Sequence, residues 1–157
     1  MITEILKGLV VLGVPSLFCY AAWRDLRDLK IPANISGALL ALYGLAAFSW
    51  QVPPDVFLSG LACGAVFFAI GFGLWAVGLL GGGDVRLNAA AGLFVGFSDA
   101  LPYVMATVVA GGALSLAALF LRRRLPGLVT LPGDRESVPF GVAIALGLLV
   151  VEAAGLA

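Results

Sequence analysis

Two places in this chain set acidic side chains against the end of an apolar run. Asp84 closes Gly81-Gly82-Gly83-Asp84, and the stretch before it, Val56 to Gly83, carries no acidic or basic residue. Asp25 and Asp28 follow another apolar run, within Trp23-Arg24-Asp25-Leu26-Arg27-Asp28-Leu29-Lys30-Ile31-Pro32. A carboxylate at the edge of hydrocarbon is costly to keep, so it marks a functional site that needs a partner. Two such acids brought close cannot both ionise cheaply; one pKa rises and the pair shares a proton. Such a pair can do general acid–base work on a water molecule. In a transporter the same groups would instead hold a proton or a cation.

Other chemistries lack their residues. Histidine is absent, and the two cysteines, Cys19 and Cys63, lie inside apolar segments without a Cys-x-x-Cys pair. No metal site and no Cys/His nucleophile is therefore expected, and no cofactor motif is present. The nine basic and nine acidic residues cancel, and the basic ones sit in short loops. That pattern argues against nucleic acid as a partner.

The acids must be positioned by elements that live in a bilayer. Hydrophobic residues make up 62% of the chain and charged ones 11%, where soluble domains carry about 25% charged residues. At roughly 20 residues per crossing, a chain of 157 residues holds up to about six spans and little else. The expected fold is an all-α polytopic membrane bundle, one compact domain over residues 1–157 in contact with lipid. Apolar runs bounded by charge, proline or glycine predict spans Ile5 to Ala22, Ile35 to Trp50, Val56 to Leu80, Leu87 to Phe97, Pro102 to Leu121 and Val138 to Leu156. The fourth is too short to cross a core of roughly 30 Å unaided. The first run ends in charge rather than in a small-residue cleavage site, and reads as a retained span.

Alternating the spans puts Arg24, Arg27, Lys30, Arg86, Arg122, Arg123, Arg124 and Arg135 on one side and only Lys7 on the other. By the positive-inside rule that side is cytoplasmic and both termini are outside. Glu4, Asp55, Asp99 and Glu152 then lie away from the cytoplasmic acids, while Asp134 and Glu136 read as solvated loop charges. A helix continuing past Ala22 places Asp25 and Asp28 on neighbouring faces about 4.5 Å apart in depth. Asp25 is nearer the membrane and is favoured on that ground; Asp28 paired with Arg24 or Arg27 would be an ordinary interfacial ion pair.

The three glycines before Asp84 suit a backbone that bends, reaches positive φ or lets an extended peptide approach closely. A plain inter-helix turn would use them too, and it is the following acid, matched by Asp25, that favours the functional reading. Gly60-x-x-x-Gly64 and Gly92-x-x-x-Gly96 are read first as close packing within the bundle, and second as docking surfaces for an apolar substrate helix.

Gly81 to Asp84 with the following Val85-Arg86-Leu87 resembles the GxGDxK signature of the prepilin peptidases, intramembrane aspartyl proteases of the GxGD type. Asp25-Leu26-Arg27 through Ile31-Pro32 is similar to that family's first-aspartate motif. Val138-Pro139-Phe140-Gly141-Val142-Ala143 is similar to the Pro-aromatic-Gly element opening its last span. The resemblance implies catalytic Asp25 and Asp84, with Gly81, Gly83, Arg86, Arg27 and Pro32 as motif or supporting residues, and no cofactor or metal. Two positions depart from the pattern: Arg86 stands where the family has lysine, and Ala33 separates Pro32 from Asn34. The implied substrates are prepilins, with a basic leader followed by an apolar helix, cut at the cytoplasmic face of the bacterial inner membrane. Larger members add a cytoplasmic region with cysteine pairs; without one, this chain looks like the short, peptidase-only form associated with Flp/Tad-type pili, with preflagellin peptidases a related possibility. The competing classes are a small proton- or cation-coupled transporter subunit and a non-catalytic membrane scaffold for secretion machinery. Against transport, both acids lie at one interface and not at the midplane where transporter sites sit.

Overall fold

The computed structural model describes residues 2–28, 31–124 and 140–153. Six helices follow one another: α1 (Ile2–Asp28), α2 (Ala33–Ser49), α3 (Pro54–Ala76), α4 (Gly82–Val95), α5 (Ala100–Arg124) and α6 (Phe140–Ala153). All six expected spans are present as helices, and no strand occurs among the described residues. The helix does continue past Ala22, carrying Asp25 and Asp28 on its last two turns. The third span ends earlier than Leu80: the Val77 amide bonds the Gly73 carbonyl, and Gly78 takes a φ of 79° that a side chain would resist. Lys30, Asp134, Arg135, Glu136, Val138 and Pro139 lie outside the described residues.

Length sorts the helices into two kinds. Three are long and apolar enough to cross a membrane: Ile2–Asp28, Pro54–Ala76 and the Ala100–Ala117 part of α5. The short α4 sits in the middle, touching α2, α3, α5 and α6. Its residues Val85, Leu87, Ala90, Ala91, Gly92, Leu93 and Val95 are buried. A helix enclosed by its neighbours need not match the hydrocarbon thickness, because protein rather than lipid covers its ends. Phe18, Leu39, Leu87, Tyr103, Ile144 and Leu148 form the fully buried centre, whereas Leu58, Ile70, Val108 and Leu116 point outward. That distribution is the one a lipid solvent allows.

Lipid tails are as apolar as leucine, so helices in a bilayer associate by close packing rather than by the hydrophobic effect. The α3–α4 contact, the most extensive in the molecule, is built that way. A Cβ on Gly92 would come within 2.9 Å of the Phe67 ring and 3.0 Å of Gly64 Cα. One on Gly64 would come within 2.7 Å of Leu93 Cδ2 and 3.0 Å of the Ala89 carbonyl oxygen. The Gly60/Gly64 pair and Gly92 therefore serve internal packing. Gly96 does not: it ends α4 with a φ of 63° and its amide on the Gly92 carbonyl.

Gly92→Ala is expected to lower stability by about 1–3 kcal/mol, because the obstructing atoms include backbone. Gly37→Ala, where a new Cβ meets nothing within 4 Å, should be neutral or stabilising by up to about 1 kcal/mol. Unfolding of the two variants in mixed micelles titrated with dodecyl sulfate measures the contrast.

Candidate active site

The buried stripe of α1 reads Val10, Val14, Phe18, Ala21, Asp25, so the acid takes the last position of a row that otherwise faces the core. Asp25 is only 5% exposed. Its Oδ2 accepts the backbone N–H of Gly141 at 2.7 Å. Gly141 is in the first turn of α6, where amides have no partner within the helix. Carboxylate and amide thus satisfy each other where little solvent reaches them. Asp28, one turn on, is half-buried and paired with Arg24 at 3.1 Å, with Arg27 at 3.9 Å. It is the interfacial ion pair that the sequence left open as its alternative.

Asp84 is the third residue of α4, and the amide of Gly81, the residue before the helix, donates back to its carboxylate. This is half of a capping box. The geometry separates the three glycines. A Cβ at Gly81 would sit 2.8 Å from Asp84 Oδ2; one at Gly83 would sit 3.0 Å from Ile31 Cβ and 3.3 Å from Ile31 N. At Gly82 it would meet only the Trp75 indole, at ordinary distances of 3.5 Å from its nitrogen and 3.8 Å from Cδ1. None of the three has a positive φ. Of the uses open to such a run, positive φ is therefore not the one taken, and Gly81 and Gly83 instead let other parts of the chain approach closely.

Ile31, buried between the start of α4 and the start of α6, joins the two halves. A Cβ on Gly141 would come within 3.0 Å of Ile31 Cδ1, as well as 2.8 Å of Asp25 Oδ2. Around this wedge lies a cavity of about 580 Å³ lined by Arg24, Asp25, Ile31, Pro32, Gly81 to Asp84 and Arg86. Of the residues expected from sequence, Asp25, Asp84, Gly81, Gly83, Pro32 and Arg86 come together here. Arg27 does not: it is exposed, with its guanidinium 5.5 Å from the Trp23 ring centroid. Arg86 is anchored through Nε to the Gly82 carbonyl at 3.1 Å. Arg24, Ile31 and Gly141 belong to the site without having been expected there; Ile31 and Gly141 stand inside the first-aspartate and Pro-aromatic-Gly stretches, the one signal in the sequence that could have marked them.

The electrostatics of Asp84 follow from its surroundings. Burial first, and the neighbouring Asp25 carboxylate second, push its pKa from 3.8 up to about 7, against the opposing Gly81 hydrogen bond. Its Oδ1 is buried with no hydrogen-bond partner among the described residues. Next to a carboxylate held by an amide, a second acid that keeps its proton near neutrality can donate that proton to a substrate. Among the described residues no group of His, Cys, Asp and Glu is arranged to hold a metal ion.

The model of the type IV leader peptidase family matches residues 12–116, which include both acids and the glycine run. No curated protein and no solved structure matches the chain.

Asp84 keeps its proton in the native state at pH values where the unfolded chain, with its pKa of 3.8, has lost it. Its contribution to stability is therefore fully present below about pH 4 and is lost as the pH rises through about 7. The protonated carboxyl stretch in infrared difference spectra is expected to titrate near pH 7 and to vanish in Asp84→Asn. In Asp25→Asn, which removes the neighbouring negative charge, it should titrate at lower pH.

Proposed function

The chain belongs to the type IV leader peptidase family, and on that premise we propose that it is an aspartic prepilin peptidase whose catalytic pair is Asp25 and Asp84. The observation that carries this reading is the shared cavity: two acids from distant parts of the chain line one space large enough for a peptide segment and a water molecule. Burial raises the pKa of Asp25 as well, but the Gly141 amide on its Oδ2 opposes that rise, which favours Asp25 as the acid that ionises first. Burial and the charge of Asp25 favour Asp84 as the proton holder.

In the proposed reaction Asp25 takes a proton from water as its oxygen attacks the scissile carbonyl carbon. Asp84 donates its proton to the carbonyl oxygen. When the tetrahedral intermediate collapses, the C–N bond breaks, the proton on Asp25 passes to the departing amine, and Asp84 recovers its proton from the gem-diol. Each of these transfers is general acid–base work worth about 10²- to 10⁴-fold. The proposed substrate class is a prepilin with a basic leader and an apolar helix, of the Flp/Tad type. The concentration of arginine around the cavity supports an orientation with the acids at the cytoplasmic face of the inner membrane and both termini outside. Arg27, outside the cavity, is then a topology determinant, while Arg86 lines the reaction space.

Coexpression with a candidate prepilin tests the assignment. Asp25→Asn and Asp84→Asn should each reduce leader removal by at least about 10²-fold, whereas Asp28→Asn should stay within a few-fold of wild type. Undiminished cleavage in both of the first two variants would remove the pair from the mechanism.

A further inference from the structure

A second, shallower groove lies beside the cavity on its α3 side. It measures about 190 Å³ and is lined by Phe68, Phe72 and Trp75 of α3 with Gly82, Val85 and Arg86 of α4. Gly82 and Arg86 line both spaces, so the two are neighbours across those residues. The three aromatic residues follow one another at helical spacing along a single face. Phe68 and Phe72 stack with centroids 6.1 Å apart, and Phe72 and Trp75 lie 5.3 Å apart. All three remain about half exposed, 45%, 51% and 48%. They form an apolar ridge leading along α3 toward the cavity, left uncovered by the other described helices.

We propose that this ridge is the docking track for the apolar helix of the substrate, which lies against α3 and reaches Asp25 and Asp84 past Gly82 and Arg86. The inference rests on the peptidase reading above and adds where the substrate sits. Three features support a peptide helix as the occupant. A row of side chains at positions 68, 72 and 75 is the ridge that a second helix packs against. The track ends at Gly82 and Arg86, which also line the reaction space, as a substrate that must present both an apolar helix and a scissile bond requires. The junction also carries the right donors. A peptide bond can be hydrolysed only once its segment leaves the helix, and that frees backbone carbonyls in surroundings with little water. Arg86, with Nε held by Gly82 and no ion pair among the described residues, offers its terminal N–H groups at that place. Trp75, beside Gly82, marks the depth at which an apolar helix gives way to the interface.

The test places a photo-crosslinking benzoylphenylalanine at position 68 or 72 of the full-length Asp84→Asn protein in membranes, with position 108 on the lipid-facing side of α5 as control. The probe is a precursor with a basic leader and an apolar N-terminal helix, and adducts are identified by mass. Peptide adducts at positions 68 and 72 and not at 108 are expected. In the protein with both acids intact, Phe72→Ala should raise KM for the precursor on the order of tenfold with kcat preserved, and Leu116→Ala should change neither. Adducts to lipid alone at positions 68 and 72, peptide adducts at 108 as strong as at 72, or an unchanged KM in Phe72→Ala would overturn the track. If the wild type cleaves the precursor while the track fails, the peptidase reading stands. If the precursor cross-links at 72 but the wild type cuts nothing, the peptidase reading falls and the surface remains a helix-docking site.

Discussion

The hydrogen bond from the Gly141 amide to Asp25 is the interaction on which the other parts of the site depend. A carboxylate at the end of a core-facing stripe and an unbonded amide in the first turn of a buried helix are each unfavourable alone. Joined at 2.7 Å, they satisfy one another and tie the end of α1 to the start of α6. The approach is so close that position 141 has no room for a side chain, and Ile31 fills the remaining space. Ile31 in turn lies against Gly83, which brings the first turn of α4 and its acid into the same cavity.

The two acids are made unequal by their partners. Both accept a backbone amide, but the amide serving Asp25 comes from another helix, whereas the one serving Asp84 comes from its own N-terminus. Asp84 has in addition a buried oxygen without a partner among the described residues and a neighbouring negative charge. One member is thereby suited to hold charge and the other to hold a proton, the division of labour that acid–base hydrolysis needs. The arginines stand around this pair rather than on it: Arg24 is engaged by Asp28 and Arg86 is anchored to a carbonyl. A direct ion pair to either acid would have stabilised the charged form and opposed the sharing of a proton.

The bundle provides this arrangement through a contrast between long and short helices. The long, lipid-facing α1, α3 and α5 meet the solvent, while α4 carries Asp84 into the interior on a helix too short to span. Glycine at the α3–α4 contact lets the short helix come close enough to be held by van der Waals packing, the force still available between helices in hydrocarbon.

Much of this was legible in the residues. Composition selected the solvent and uninterrupted apolar runs located six helices among the described residues, because bilayer insertion depends on local hydrophobicity. Asp25, Asp84, Gly81, Gly83, Pro32 and Arg86 were identifiable as one group from types and motifs. Arg27 was grouped with them but faces away, since membership in a motif says nothing about which side of the helix a residue takes. The roles of Gly141 and Ile31, the pairing of Asp28 with Arg24, the inequality of the two acids and the reason Gly81 and Gly83 must lack side chains came only with the tertiary structure. Each is a contact between segments far apart in the chain or a matter of a few tenths of an ångström, and local hydrophobicity carries no record of such distances. The sequence by itself determined that this is a helical membrane protein with acids at the ends of two apolar runs. Only the folded bundle decided which atoms meet there, because hydrogen bonds and close packing depend on positions in space rather than along the chain.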